Sequence, residues 1–417
     1  MVQPIAIVLL VLLAMALTTV LYPFLLGFAL KHGFVDNPNY RKLQRKPIPV
    51  MGGAAVFSGI LIAGIAAFFV FKDARFLLAE AAMLILFLIG IWDDRKDISP
   101  YARFLVEILV VWGVMFFMEI EIDDFHGLWG VYKIPEELSI LMSLVAGVGI
   151  INAINLIDGV DGYCSSYGMM AFAVFGIAFV KAGDLAMATL CFIGIGSLLP
   201  FFFHNVFGRS SKMFLGDGGS LMMGTMLTIC VFNLLSSKSQ CVVLDWNGVS
   251  LPALVLAILA VPVFDTLRVM TARMVKMRSP FSPDKTHLHH LYIDLNFSHV
   301  ATSLTIVFMN GLIVVLEYLM WMLGVSVTWQ LYVVVAASLL YTCVFYYTLV
   351  REGRKNDGEG SSHYQAWCRL GEKTHLGQTR FWAILRHLAD STLLGGHYIG
   401  VARYARSRKN PRPDPRV

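Results

Sequence analysis

Eleven long apolar stretches leave this chain few ways to fold. They run near residues 4–30, 50–71, 75–92, 101–120, 138–154, 164–181, 185–203, 219–236, 249–267, 300–323 and 328–350. Each is close to the roughly 17–25 residues that a helix needs to cross a bilayer. Of the 417 residues, 57% are hydrophobic and only 15% are charged, against about 25% charged in soluble domains. The expected fold is all-α, a polytopic membrane bundle of about eleven transmembrane helices. The first run, VQPIAIVLLVLLAMALTTVLYPFLLGFAL, has no basic lead and exceeds a signal-peptide core, so it reads as a spanning helix. Six cysteines form no CxxC pair and lie mostly in apolar runs. They read as small hydrophobes, not as a disulfide framework or zinc site.

Lysine and arginine bias sets the expected orientation. Alternate loops collect Lys31, Arg41, Lys42, Arg45 and Lys46, then Arg95, Lys96 and Arg103, then Arg209 and Lys212, then Arg268, Arg273, Lys276, Arg278 and Lys285. The segment from Arg351 onward adds thirteen more, whereas the opposite side holds only Lys72, Arg75, Lys133, Lys181 and Lys238. The basic side is therefore expected to be cytoplasmic, with the N-terminus outside and the C-terminus inside. Every polar cluster with chemical character falls on that same side: RKPIPVMGG, WDDRKDISPYAR, NAINLIDGVDG, KMFLGDGGS and SPFSPDKTHLHH. A channel or ion-coupled transporter would tend to place its carboxylates near the bilayer midplane. Clusters gathered at one face suit an enzyme that meets a charged soluble substrate and a lipid head group.

Asp93 and Asp94 end the third apolar run, where the negative end of a helix dipole disfavours carboxylates by up to about 1 kcal/mol each. A cation should compensate them, either a ligand or Arg95, Lys96 or Arg103. In KMFLGDGGS, Asp217 stands among glycines before the next apolar run. Glycine permits close backbone approach and a helix N-terminus favours anions, so this aspartate could hold a divalent cation against a phosphate; a simple turn is the alternative. His287, His289 and His290 lie beside a basic helix end. With no cysteine close, phosphate contacts are favoured over zinc. Asn155, Asp158 and Asp161 recur every three residues and would share one helical face, which Asn152 extends, unless they form a solvated loop. Hard oxygen donors of this kind select Mg2+ or Mn2+. Phosphoryl transfer, which depends on positioning and charge neutralisation, is the chemistry that most needs such a set.

DDRKDIS, NAINLIDGVDG, KMFLGDGGS and SPFSPDKTHLHH, in this order, closely resemble the polyprenyl-phosphate N-acetylhexosamine-1-phosphate transferases. The resemblance covers roughly residues 1–350. The interrupted HLHH looks like the bacterial undecaprenyl-phosphate N-acetylglucosaminyl-1-phosphate transferase branch. It implies transfer of a sugar-1-phosphate from a UDP-sugar, N-acetylglucosamine foremost, to undecaprenyl phosphate in the inner membrane, with release of UMP. By this likeness Asp217 and Asn155 would be Mg2+ ligands and Phe214 would stack on uracil. Asp161 would hydrogen-bond the base, with Asp158 as its partner in the motif. Asp93 and Asp94 would stand beside the lipid phosphate, and Arg103, where the family often has lysine, on the phosphates. His287, His289 and His290 would contact phosphates and sugar, and Lys46 is a looser match to a basic residue of the first loop. Because a phosphate monoester is mostly dianionic at neutral pH, the aspartate pair is expected to position a metal or cation more than to remove a proton.

Residues 1–350 thus read as the transferase domain and 351–417 as a basic tail with interfacial helices, TRFWAILRHLADSTLLGG among them, or as a docking segment for a partner. No nucleic-acid partner is expected, and a homodimer is an open alternative. The competing functional class is a secondary transporter of nucleotide-sugar or lipid-linked cargo. It would need intramembrane charges on both halves of the chain, and Glu107 and Glu317 are the main ones.

Overall fold

The computed structural model describes residues 2–37, 47–96, 98–245, 247–280, 285–355, 360–375 and 380–391. Among these residues the chain is a helical bundle with two small hairpins. In order it forms α1 (Val2–His32), β1 (Val35–Asp36), β2 (Ile48–Pro49), α2 (Gly52–Phe71), α3 (Arg75–Lys96), α4 (Pro100–Met118), β3 (Asp124–Leu128) and β4 (Val131–Lys133). There follow α5 (Glu136–Ile157), α6 (Tyr163–Ala182), α7 (Leu185–Phe207), α8 (Gly216–Leu235), α9 (Val242–Asp245), α10 (Leu251–Ile258) and α11 (Ala260–Val275). The last are α12 (Leu288–Asp294), α13 (His299–Met322), α14 (Val327–Leu339), a π-helical segment (Leu340–Phe345), α15 (Tyr346–Gly353), α16 (Ser362–Glu372) and α17 (Arg380–Ser391).

Ten of the described helical segments are long and apolar enough to span a membrane, and the bent pair α10 and α11 makes an eleventh where the two count as one span. The protein is a multi-pass membrane protein. Large apolar side chains such as Leu9, Phe69, Leu88, Phe116, Val145, Ile177, Phe308 and Leu340 face outward, as they do where the solvent is lipid tail. The spanning window of α8 is wholly buried, and its sequence GDGGSLMMGTMLTICVFNLL is apolar on every face, which is the pattern of a central helix. Small residues let its neighbours come close. A Cβ on Gly90 of α3 would lie 2.3 Å from the Gly218 nitrogen, and one on Gly53 of α2 would lie 2.5 Å from Gly219 Cα. Both contacts fall at the N-terminal end of α8, so two helices are pinned where Asp217 begins.

The ninth apolar run is not straight. α10 and α11 meet at a 73° bend, with Pro262 in the first turn of α11. Proline has no N–H to give the carbonyl four residues earlier, that of Ile258. That oxygen instead accepts from the Tyr167 hydroxyl at 3.0 Å and from Asn310 Nδ2 at 3.0 Å, while Asn310 Oδ1 accepts from Val261 N at 2.9 Å. Side chains of α6 and α13 therefore seal the broken ladder, and the bend sends α11 across toward the histidine segment.

Candidate active site

Asp94 leaves the last turn of α3 and reaches the first turn of α8. Its Oδ1 accepts from Asp217 N at 3.1 Å and its Oδ2 from Gly218 N at 3.4 Å. The α3 dipole disfavours the carboxylate, but the N-terminus of α8 supplies N–H groups that favour it. Gly216 makes the approach feasible: its φ is +77°, and a Cβ there would stand 2.6 Å from Asp94 Oδ2. Asp93 turns the other way. Its Oδ1 accepts from Ile98 N at 2.7 Å and its Oδ2 pairs with Arg103 at 3.1 Å. Arg103 also meets Glu107 at 3.3 Å and donates to Asn152 Oδ1 at 3.2 Å, and Asn152 Nδ2 donates to Glu107.

α5 runs to Ile157, so Asn152 and Asn155 lie on a helix while Asp158 and Asp161 lie in the turn after it. Asn155 Nδ2 donates to Asp217 Oδ1 at 2.7 Å and to Ser220 Oγ at 2.9 Å. Asp158 faces the same acidic group. Burial and the carboxylates of Asp217, Asp94 and Asp161 push its carboxyl well above the usual range. Asp161 sits between an ammonium and an imidazole: Lys212 Nζ lies at 2.5 Å and His299 Nδ1 at 2.9 Å from its Oδ2. Burial opposes its charge, but His299 and Lys212 hold its carboxyl below the usual range. Phe214 stands near Lys212, whose Nζ is 5.9 Å from the ring centroid. The Phe214 backbone is laced to the start of α2 through its N–H to Pro49 O at 2.8 Å and its carbonyl to Gly52 N at 2.9 Å.

The histidines are ordered by a residue that sequence reasoning overlooked. Asp265, buried on α11, accepts from Arg268 Nη2 at 2.6 Å, lies 2.9 Å from His287 Nδ1, and accepts from Leu288 N at 3.2 Å. Arg268 continues to Thr286 O at 2.6 Å and lies over the Tyr346 ring at 3.6 Å. It is thus an internal strut, not the surface cation its place in the basic helix end implied. His287 and His289 are buried with parallel rings 5.8 Å apart, and His290 lies 4.4 Å from His289. Burial and the neighbouring imidazoles of His290 and His287 keep His289 well below its usual pKa. A Cβ on Gly159 would meet His289 Nε2 at 2.8 Å, so the histidine helix abuts the IDGVDG turn.

All of the motifs therefore converge except Lys46, which lies outside the described residues. Lys212, His299 and Asp265 were not singled out from sequence. Asp265 had a signal, a carboxylate in the apolar AVPVFDTLRVM with Arg268 three residues on, because such a charge in a spanning helix needs a purpose. His299 had none, since only the fold brings it to Asp161.

A bundle of spanning helices that gathers acid, amide, ammonium and imidazole groups at one end is the build of a polytopic membrane protein with a chemically equipped polar site. Residues 76–235 match the model of glycosyl transferase family 4. The undecaprenyl-phosphate alpha-N-acetylglucosaminyl 1-phosphate transferase of Yersinia pestis is 32% identical over 273 residues, 65% of this chain and 72% of that protein. The Escherichia coli K12 protein of the same name is 32% identical over 285 residues, 67% and 75% of the two chains. A probable undecaprenyl-phosphate N-acetylglucosaminyl 1-phosphate transferase of Bacillus subtilis is 29% identical over 304 residues, 70% and 79%. The chain belongs to glycosyl transferase family 4 and is a polyprenyl-phosphate sugar-1-phosphate transferase.

Proposed function

We propose that the chain transfers N-acetylglucosamine-1-phosphate from UDP-N-acetylglucosamine to undecaprenyl phosphate, with release of UMP, at the cytoplasmic face of the inner membrane. An oxygen of the lipid phosphate attacks the sugar-bearing phosphorus of the donor, and the bond from that phosphorus to the UMP oxygen breaks. The observation that carries this reading is the seating of Asp94 on the N-terminus of α8 beside Asp217 and Asn155. The names of the relatives support the acceptor and the transferred group, and the charge bias supports the orientation.

The donor set fits Mg2+. Asp217, Asp94 and Asp158 offer hard carboxylate oxygens, and Asn155 offers an amide. Among the described residues, no three acid, histidine or cysteine side chains close into a metal cage. Mg2+ commonly takes one or two carboxylates and fills its remaining positions with phosphate and water. Asp217 and Asn155 would hold the ion, which when bound would neutralise charge on the transferring phosphates. The chain's own groups do the rest. Asp94 fixes the first turn of α8, whose N–H groups favour anions. Asp265 orients His287, whose Nε2 has no hydrogen-bond partner among the described residues and is left to meet a substrate group. Phe214 offers a half-buried ring for the base, next to the Lys212–Asp161–His299 group.

Purified protein with Mg2+, undecaprenyl phosphate and a panel of UDP-amino sugars tests the proposal by UMP release. UDP-N-acetylglucosamine is expected to be the best donor. A better donor of another hexosamine type would move the assignment to that sugar, and no release from any of them would defeat it.

A further inference from the structure

The last described helices are not a loose tail. In α17, Asp390 Oδ1 accepts from the backbone N–H groups of Arg209, Ser210 and Ser211, each at 3.1 Å, and from Ser211 Oγ at 3.0 Å. A carboxylate that collects four donors in one turn fixes that turn, because each bond has an ionised acceptor. Trp382 adds a ring contact with Phe207 at 4.9 Å. The residue that follows the clasped turn is Lys212.

α16 does the same on the other side. Gly371 passes so close to the 295–296 backbone that a Cβ would lie 2.1 Å from Leu295 O. Just beyond α16, Thr374 Oγ1 accepts from Ser298 N at 2.9 Å, and the Thr374 carbonyl accepts from Ser298 Oγ at 3.1 Å. Trp367 rests against Phe297 and Phe345. The residue that follows Ser298 is His299. Each C-terminal contact thus ends one residue before a nitrogen-bearing side chain that sits on Asp161, Lys212 in one case and His299 in the other. α13 also holds the backbone there, since Ser303 Oγ donates to the Asp161 carbonyl at 2.7 Å.

We propose that α16 and α17 form a clasp that holds Lys212 and His299 in register on Asp161, making Asp390 and Thr374 positioning residues for the donor end of the site. The consequence for donor binding rests on the function proposed above; the positioning itself does not. A segment outside the 76–235 match would then tune how tightly the nucleotide end is held without touching substrate.

The test uses the full-length protein with Asp390→Ala, Asp390→Asn and Gly371→Val. Its first readout is the rate at which an amine-reactive probe labels Lys212, followed by mass spectrometry with exposed Lys133 as reference. Its second is the split of KM for the UDP-sugar against kcat. Asp390→Ala is expected to speed Lys212 labelling and to raise donor KM, each by about threefold to tenfold, with little change in kcat and partial recovery in Asp390→Asn, which keeps one acceptor oxygen. In a Lys212→Ala background the added effect of Asp390→Ala on KM should vanish. Unchanged Lys212 labelling in both Asp390→Ala and Gly371→Val would overturn the clasp. Wild-type protein that releases no UMP would defeat the donor assignment alone, and the labelling would still decide the positioning.

Discussion

Asp94→Asn separates two roles that a carboxylate beside a phosphate can have. As a positioning group, Asp94 holds Asp217 N and Gly218 N at 3.1 and 3.4 Å. Asparagine keeps one acceptor oxygen at the N-terminus of α8 and loses the charge. Loss of such a cap costs about 0.5–2 kcal/mol, and loss of the charge–dipole attraction adds about 0.3–1 kcal/mol. Because one acceptor is retained, the net is about 1–2 kcal/mol, or about fivefold to thirtyfold in rate if all of it falls on the transition state. As a general base, Asp94 would be worth about a hundredfold to ten-thousandfold.

The pH profile separates the two further. A phosphate monoester loses its second proton near about pH 6, so a base matters most at the acid end and becomes dispensable as the lipid phosphate ionises by itself. Initial UMP release at saturating donor and acceptor, from about pH 6 to about pH 9, should show Asp94→Asn slower by a nearly constant factor of about ten. A loss above about a hundredfold that recovers steadily as pH rises would refute the positioning role and install Asp94 as the base.

Asp265→Asn should strip Arg268 and His287 of their shared carboxylate and cost about 3 kcal/mol in stability, as breaking a buried pair does. Adding Arg268→Met should restore the melting temperature in detergent but not UMP release, because His287 still lacks its orienting charge; restored activity would refute that role. Gly90→Ala should drive a methyl toward Gly218 N, force α3 off α8 and lower stability by about 1–3 kcal/mol, which thermal unfolding would measure. At the far end of the bundle His126 pairs with Asp245 at 2.5 Å. Burial opposes the charged ring, but Asp245, the Leu235 carbonyl and Asp124 outweigh it and raise its pKa. That stabilisation is fully present below the ordinary histidine pKa and is lost as pH rises through the raised one. Melting temperatures should therefore fall over that interval in the wild type and stay flat in His126→Gln.

The spans were legible because lipid demands unbroken apolar runs, and the residues near 249–267 show the limit of that signal. LPALVLAILAVPVFD reads as continuous oil, yet its helix bends by 73°. Pro262 was visible, but the compensation came from Tyr167 and Asn310, residues on two other helices whose meeting no local pattern encodes. The acidic motifs were legible as a group because polar residues in spanning segments are costly. Their pairing was not. Asp161 had no basic neighbour in sequence, and its partners Lys212 and His299 are 51 and 138 positions away. The tail was legible only in part. The outward stripe Phe381, Ile384 and Leu388 keeps the amphipathic character expected of an interfacial helix, while the inward side grips the 209–211 turn. Residues 392–417 lie outside the described residues.

The glycines of KMFLGDGGS show why a motif can be found and its physics still misassigned. Read along the chain, glycines around an aspartate mean a turn or a cradle for a ligand. In the fold the tasks divide. Gly216 supplies the left-handed backbone and the space in which Asp94 reaches the helix end. Gly218 and Gly219 face other helices, against Gly90 and Gly53. Close packing of α2 and α3 on α8 is therefore what brings Asp94 within hydrogen-bond reach of Asp217. A side chain at Gly90 or Gly53 would disturb the acidic site as surely as a change in an aspartate, although neither glycine lies in an acidic motif. The geometry of the site is thus set inside the bundle, by contacts between helices that are too close to admit a methyl group.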